Sequence, residues 1–227
     1  MTDAVVYYSN TNQSKRIAEY FADKLGYPIW DIYDIPDKAF GNLVLVFPIY
    51  CQSTPDKVKD FLDSIHTQNL TLIATYGRMC YGNAIYEVQQ RYNHNIVAAA
   101  YIPTRHSYLQ DNEFDGFGDL EPIIQKILNP SVITIPKSYK NPFSNFIKSK
   151  RSQMGVKIKK TDKCNACGVC GQVCKLSAIT DGVTNNKCIR CLKCVNSCPQ
   201  NALEFSLTLP MRMYLKKKKQ DKLFIYV

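Results

Sequence analysis

The sequence predicts an α/β protein: a doubly wound, five-stranded parallel sheet comes first and a small cysteine-rich α+β unit follows. Three observations carry this. Five short apolar runs alternate with stretches of helical periodicity over the first 128 residues, the pattern of strands covered on both faces by helices. Eight of the ten cysteines crowd into residues 164–198. Charge divides along the same line, since residues 1–136 hold ten Lys or Arg against fifteen Asp or Glu and residues 137–227 hold nineteen against four. A chain of 227 residues accommodates one ordinary domain and one small one.

The first strand is read over 3–8, DAVVYY, and the first helix over 14–25, with Ile17, Ala18, Phe21, Ala22 and Leu25 on one face and Gly26 ending it. Between them lies the polar turn Ser9, Asn10, Thr11, Asn12, Gln13, Ser14. A strand, a hydroxyl-rich turn and a helix start make a phosphate site, because hydroxyls and free amides point at the same place. The competing reading is an ordinary turn whose hydroxyls cap the helix. Residues 28–33, PIWDIY, form a short second strand. The third, ending LVLVFP at 48, runs into Pro48, Ile49, Tyr50, Cys51, Gln52 and Ser53 before Thr54-Pro55 opens a helix carrying Val58, Phe61, Leu62 and Ile65. The fourth, LTLIAT at 70–75, runs from Thr75 into Tyr76, Gly77, Arg78, Met79, Cys80, Tyr81, Gly82 and Asn83. Both turns stand at strand C-terminal ends, the edge where open α/β sheets bind ligands.

IVAAAYI at 96–102 is the fifth strand, and Leu120, Ile123, Ile124, Ile127 and Leu128 dock a last helix over 119–128. The polar, glycine-marked stretch 103–119 reads as a covering loop. The first domain is thus taken as 1–130, a basic connecting segment as 131–158, the cysteine-rich domain as 159–206 and a basic tail as 207–227. In the connector, Val132, Ile133, Ile135, Phe143, Phe146 and Ile147 favour packing over a loose tether. In the tail, Lys216 to Lys219 either touch an anionic membrane surface or stay solvated while Leu223, Phe224 and Ile225 pack back on the protein; the second reading is preferred.

The cysteines fall as Cys164, Cys167, Cys170, Cys174 and Cys188, Cys191, Cys194, Cys198, each quartet spaced CxxCxxCxxxC and offset from the other by 24 residues. This is an internal duplication. A cubane of four irons and four sulfides needs one thiolate per iron; a tight CxxCxxC turn supplies three, and in this pattern the fourth cysteine serves the other cluster. That assigns Cys164, Cys167, Cys170 and Cys198 to one 4Fe–4S cluster and Cys188, Cys191, Cys194 and Cys174 to the second. Zinc sites leave the third cysteine of each run unexplained, a disulfide framework suits small secreted scaffolds, and cysteine as core filler leaves the spacing unexplained. The stretch resembles a bacterial two-cluster ferredoxin, with Lys175 where the family often has proline.

The polar turn resembles the flavodoxin phosphate loop, matched by Ser9, Thr11 and Ser14, with Asn12 for the family's glycine and Gln13 for its asparagine. That resemblance implies FMN, with the isoalloxazine ring between the 48–53 and 75–83 loops, Tyr50, Tyr76 and Tyr81 as stacking candidates, and backbone near Gly77 and Gly82 at the ring edge. Cys51 and Cys80 read as small buried filler sooner than as site thiols. His66, His94 and His106 form no cluster and mark no hydrolytic site. The whole chain resembles the fused flavodoxin and ferredoxin proteins of anaerobes. The resemblance implies an electron-transfer protein with FMN and two 4Fe–4S clusters, relaying between one- and two-electron couples. An FMN-dependent reductase of a small organic molecule, or a regulatory cluster protein with an empty first domain, are the alternatives.

The basic half predicts an acidic redox carrier of ferredoxin or flavodoxin type, or a reductase, as partner. No recognised nucleic-acid motif interleaves the lysines, so nucleic acid is set behind it. The start lacks the basic flank and apolar region of a signal peptide, and no run of eighteen apolar residues occurs, so a cytoplasmic protein without a membrane span is expected.

Overall fold

In the computed structural model the structure describes residues 1–109, 112–139, 141 and 148–227, with the side chains of 148–151 left aside; Phe143, Phe146 and Ile147, expected to pack, lie outside the described residues. The chain divides into two compact units, Met1–Pro142 together with Lys219–Val227, and Phe143–Lys218.

The first unit is built on β1 (Thr2–Tyr7), α1 (Gln13–Leu25), β2 (Ile29–Asp31), β3 (Ala39–Pro48), α2 (Asp56–Ser64), β4 (His66–Tyr76), α3 (Ala84–Arg91), β5 (Ile96–Pro103), a 3₁₀ turn (Phe117–Leu120) and α4 (Glu121–Leu128). β1 to β5 are parallel in the order 2-1-3-4-5, the doubly wound order expected of flavodoxin-like sheets. Successive strand residues serve opposite faces, as the pleat requires. Ala4, Val6, Leu43 and Leu45 join Val58, Phe61 and Leu62 of α2 and Ile85 and Val88 of α3 in one core. Val5, Val44 and Val46 meet Ile17 and Phe21 of α1 and Ile123, Ile124 and Ile127 of α4 in the other. The predicted helix over 119–128 starts as the 3₁₀ turn, and the strand expected over 28–33 is confined to three residues.

The sequence reading ended the first domain at 130. In the structure Ile133 donates its N–H to the Ile96 carbonyl and Ile135, buried, donates to the Gln89 side chain, so the start of the connector lies along this unit while Val132 stays exposed. The tail also returns to it. A sixth strand, β10 (Phe224–Tyr226 in chain order, after four further strands described below), runs antiparallel to β5 with Phe224 opposite Tyr101 and Tyr226 opposite Ala99. Leu223 and Ile225 pack on one core, Phe224 and Tyr226 on the other. Ahead of it, Gln220 donates to the Arg78 carbonyl, Asp221 pairs with Arg78 at 2.9 Å, and the buried Tyr76 hydroxyl donates to the Lys222 carbonyl at 2.6 Å.

Burial pushes the Tyr76 pKa up to about 12. Its proton is therefore held more tightly folded than unfolded. The contribution to stability is complete below the ordinary tyrosine value of about 10 and is lost as pH rises toward about 12. Alkaline melting monitored by tyrosinate absorbance is expected to show release of the tail in that window, and Tyr76→Phe to remove this pH dependence while lowering stability at neutral pH by the lost bond to Lys222.

The second unit contains α5 (Lys148–Gly155), β6 (Val156–Lys160), α6 (Val169–Gln172), β7 (Ile179–Thr180), β8 (Val183–Thr184), α7 (Lys193–Asn196), β9 (Leu203–Leu207) and α8 (Leu209–Leu215). β6 pairs antiparallel with β9, and β7 with β8. The 24-residue repeat of the sequence is a repeat of structure: Thr161 donates to the Ala202 carbonyl as Asn185 does to that of Ala178, and Cys164 donates to Thr161 as Cys188 does to Asn185. Left-handed backbone recurs in register at Ala166 and Arg190, Gly168 and Leu192, Ser177 and Asn201. Among the described residues no helix is long and apolar enough to cross a membrane.

Candidate cofactor sites

Three turns leave the C-terminal ends of β1, β3 and β4, and hydrogen bonds tie them together. Ile49 donates its N–H to the Thr75 carbonyl at 2.8 Å, fixing the second turn to the third. The buried hydroxyls of Ser14 and Thr75 share a bond of 2.9 Å, fixing the first to the third. The Asn10 amide donates to the hydroxyls of Tyr8 and Tyr50, at 3.0 and 2.9 Å, fixing the first to the second. All three predicted turns are thus brought to one edge of the sheet.

Asn12, before α1, is left-handed at φ 63, the conformation that asparagine adopts more readily than most residues and that its place in the motif requires. It lets the turn present the first amides of α1, whose first turn carries no acid. The half-buried Ser9 and Thr11 hydroxyls find no hydrogen-bond partner among the described residues and remain available to an anion. Lys15 and Arg16 are engaged elsewhere: Lys15 with Glu19, and Arg16 with the Glu113 carboxylate and the Phe114 carbonyl. Gln13 also donates to Glu113, so helix start and covering loop are latched together.

The second turn, from Pro48, is a tight reversal in which Tyr50 and Ser53 exchange both backbone bonds while Cys51 and Gln52 are left-handed. The third packs on it so closely that a Cβ on Gly82, itself at φ +62, would lie 2.6 Å from that of Gln52. A Cβ on Gly77 would lie 2.6 Å from the His106 ring, which the sequence reading left without a role. Asn83 is buried and accepts the Ser138 N–H, and the Asn141 N–H reaches the Gln52 side chain, so the connector also braces these turns. Tyr76 is 2 % exposed and its hydroxyl is taken by the tail. The Tyr81 ring lies among Tyr76, Tyr101 and Phe224, with centroids 4.7 to 5.6 Å away. Both tyrosines shape the turn, and the half-buried Tyr50 has its hydroxyl beside the polar turn. Cys51 and Cys80 are half-buried, and burial raises the Cys80 thiol pKa.

In the second unit, Cys164, Cys167, Cys170 and Cys198 line one cavity, with Gly182, Pro199 and Leu203 in its wall. The fourth cysteine of the second run thereby joins the first three of the first. The Ala202 N–H donates to the Cys198 sulfur at 3.3 Å and lowers its pKa against the opposing effect of burial. The counterpart Ala178 N–H donates to Cys174 at 3.3 Å. Cys174, Cys188, Cys191 and Cys194 lie near enough to influence one another's titration. Burial, then the neighbouring Cys191, Cys188 and Cys174, push Cys194 up to about 12. Burial also raises Cys191, the Lys193 N–H opposes it, and Cys188 and Cys174 add to the rise. Among the described residues no three of His, Cys, Asp and Glu are grouped closely enough to hold a single metal ion. Cys164, Cys167, Cys170 and Cys198 enclose a space that fits a multi-iron body, and the thiols of both quartets are ones that metal would hold as thiolates.

A 4Fe–4S binding domain family matches residues 183–204. No curated protein matches the chain. Among solved structures, the chain is similar to a putative flavoprotein from Bacteroides uniformis (17% identity, 46% of this chain and 92% of that one, TM-score 0.37). It is also similar to a flavodoxin from the domain Archaea (14%, 57% and 95%, 0.41) and to an NADH:FMN oxidoreductase in its apo form (15%, 58% and 91%, 0.41). By its own strand order the first unit is flavodoxin-like, and by the family match the second is of 4Fe–4S ferredoxin type. The chain fuses the two.

Proposed function

We propose that this protein is an electron-transfer flavo-iron–sulfur protein carrying FMN in its first unit and two 4Fe–4S clusters in its second, exchanging electrons with an acidic carrier. What supports the reading is the cavity that sets Cys198 with Cys164, Cys167 and Cys170, together with the influence of Cys174 on Cys194, on the same chain as an α/β unit with three linked turns at its ligand edge. When bound, such clusters pass single electrons and flavin takes one or two, so their combination interconverts the two kinds of couple.

The residues divide the work. Ser9, Thr11 and the first amides of α1 hold a phosphate without a charged clamp. Asn10, Ser14 and Thr75 fix the turn that presents them, and the 48–53 and 75–83 turns shape the ring end. In the second unit, backbone N–H groups aimed at Cys174 and Cys198 stabilise thiolate charge. The Lys-rich second unit draws an acidic carrier, an attraction that salt screens.

Titrating FMN and riboflavin into flavin-free protein tests the first-unit assignment. Wild type is expected to prefer FMN, and Thr11→Ala to weaken FMN about tenfold, the equivalent of one lost hydrogen bond to a charged group, while leaving riboflavin unchanged. Equal loss for both flavins, or no binding of either, would remove the phosphate assignment.

A further inference from the structure

The start of a helix favours a negative charge, yet the first turn of α1 carries no acid of its own. One arrives from 100 residues further along the chain. Glu113 accepts a hydrogen bond at 3.2 Å from the side chain of Gln13, the first residue of α1, and another from the Arg16 guanidinium three residues on. The other arm of that guanidinium donates to the Phe114 carbonyl, and Arg105 approaches the same carboxylate to 3.9 Å. Apolar contacts fix the arrangement. Phe114 is buried in the core that α1 and α4 share, and the Arg16 guanidinium lies over the Phe117 ring at 5.1 Å, which meets Tyr20 at 5.0 Å.

The charges beside the polar turn therefore offset one another in pairs, Lys15 with Glu19 at 3.3 Å and Arg16 with Glu113. Tyr7, the last residue of β1, registers the remaining balance. Burial, then Asp31, raise its pKa, Lys15 opposes them, and Glu19 and Asp34 add to the rise. The cations nearest the phosphate turn are thus spent on acids, and the field at the end of β1 is on balance acidic. The Arg16 and Glu113 side chains are 36 and 46 % exposed, so water weakens the pair and the effect of either charge on a neighbouring anion is modest.

We propose that Glu113 is a specificity-determining residue of the first unit: by offsetting Arg16 beside the phosphate turn, its carboxylate limits how far a phosphate-bearing flavin is preferred over the same flavin without phosphate. The inference rests on the FMN reading above. Ser9, Thr11 and the first amides of α1 offer a phosphate directed hydrogen bonds, and Glu113 sets the field in which those bonds form. A carboxylate held by the first residue of the helix competes with the ligand's own charge for the partial positive charge of the helix start. Arg16, held by the same carboxylate, adds no net attraction. The ligand class is a phosphate monoester taken by hydrogen bonds, and the preference for it is held below what the same turn would give with Arg16 unopposed.

The test titrates FMN and riboflavin into flavin-free full-length protein at low salt and at about 0.5 M salt. Glu113→Gln removes the charge while its amide oxygen still accepts from Arg16, so the loop keeps its anchor. It is expected to tighten FMN about threefold, the scale of one charge at an exposed helix start, with riboflavin unchanged and the gain fading in high salt. Arg16→Gln leaves the carboxylate unopposed and is expected to weaken FMN by about the same factor, again sparing riboflavin. The double variant falls between the two. Opposite signs from the two partners of one ion pair separate this role from a structural latch, which loses the same contacts whichever side is removed. Should Glu113→Gln fold poorly, Arg16→Gln decides, by a loss confined to FMN or shared with riboflavin. Glu113→Gln that folds and leaves FMN unchanged or weaker, or single variants that weaken both flavins alike, would overturn the proposal. Failure of wild type to bind FMN would instead strike the FMN reading beneath it.

Discussion

Replacing Cys164 and Cys198 together by alanine is expected to leave about four irons per chain, the same content as replacing either one alone. This follows from the proposed crossed sets, in which both cysteines serve one site, as their shared cavity supports. Pairing Cys164 with Cys174 instead damages both sites and leaves almost no iron. If each run kept its own fourth cysteine, the results would exchange: Cys164 with Cys174 would retain about four irons, and Cys164 with Cys198 close to none. Iron and acid-labile sulfide on the two double variants, purified without oxygen, separate the alternatives by the full content of a cluster. The cavity lined by Cys164, Cys167, Cys170 and Cys198, and the mutual influence of Cys174, Cys188, Cys191 and Cys194, both belong to the crossed arrangement.

Deleting residues 220–227 is expected to be the most damaging change to the first unit. It removes the β10 ladder on β5, the Arg78–Asp221 ion pair and the Tyr76 bond to Lys222. It also uncovers the apolar surface under Leu223, Phe224, Ile225 and Tyr226. Four half-buried apolar side chains at about 1 kcal/mol each already amount to about 4 kcal/mol, a large part of a domain's usual 5–15 kcal/mol. The melting temperature of the first unit should fall by about 10 °C or more, and β5, left as an open apolar edge, should promote aggregation. A truncated chain melting within about 3 °C of the full one would show that β10 is ornamental to the sheet. The 75–83 turn gives a second readout. Tyr81 packs on Phe224 and Arg78 pairs with Asp221, so the truncation should also weaken FMN binding if those contacts hold the turn in shape.

The sequence made the parallel sheet legible because each strand is an apolar run with a helix-periodic stretch after it, and local pattern suffices when both faces are covered. It made the cysteine sites legible because the spacing is doubled and each copy tests the other. β10 was not legible as a strand. Its three residues follow Lys216 to Lys219, and what makes them a strand is a partner more than a hundred residues away in Tyr101. The tail's inward packing at Leu223, Phe224 and Ile225 could be read from apolarity alone; its pairing could not.

The tyrosines show the same limit. Tyr50, Tyr76 and Tyr81 look alike at strand ends, and only the returning tail decides that Tyr76 spends its hydroxyl on Lys222 and that Tyr81 joins a cluster of rings. The role of His106 is not legible in the sequence because its relation to Gly77 is a steric fit between loops, which leaves no motif.

One measurement tests the central claim most directly: iron, acid-labile sulfide and flavin determined on a single anaerobically purified sample of the full chain. About eight irons, eight sulfides and one FMN per chain is the predicted result, fixing the flavin and the two clusters on one polypeptide. Eight irons with no flavin, even after incubation with excess FMN, would contradict the account by leaving the three linked turns of the first unit without their ligand.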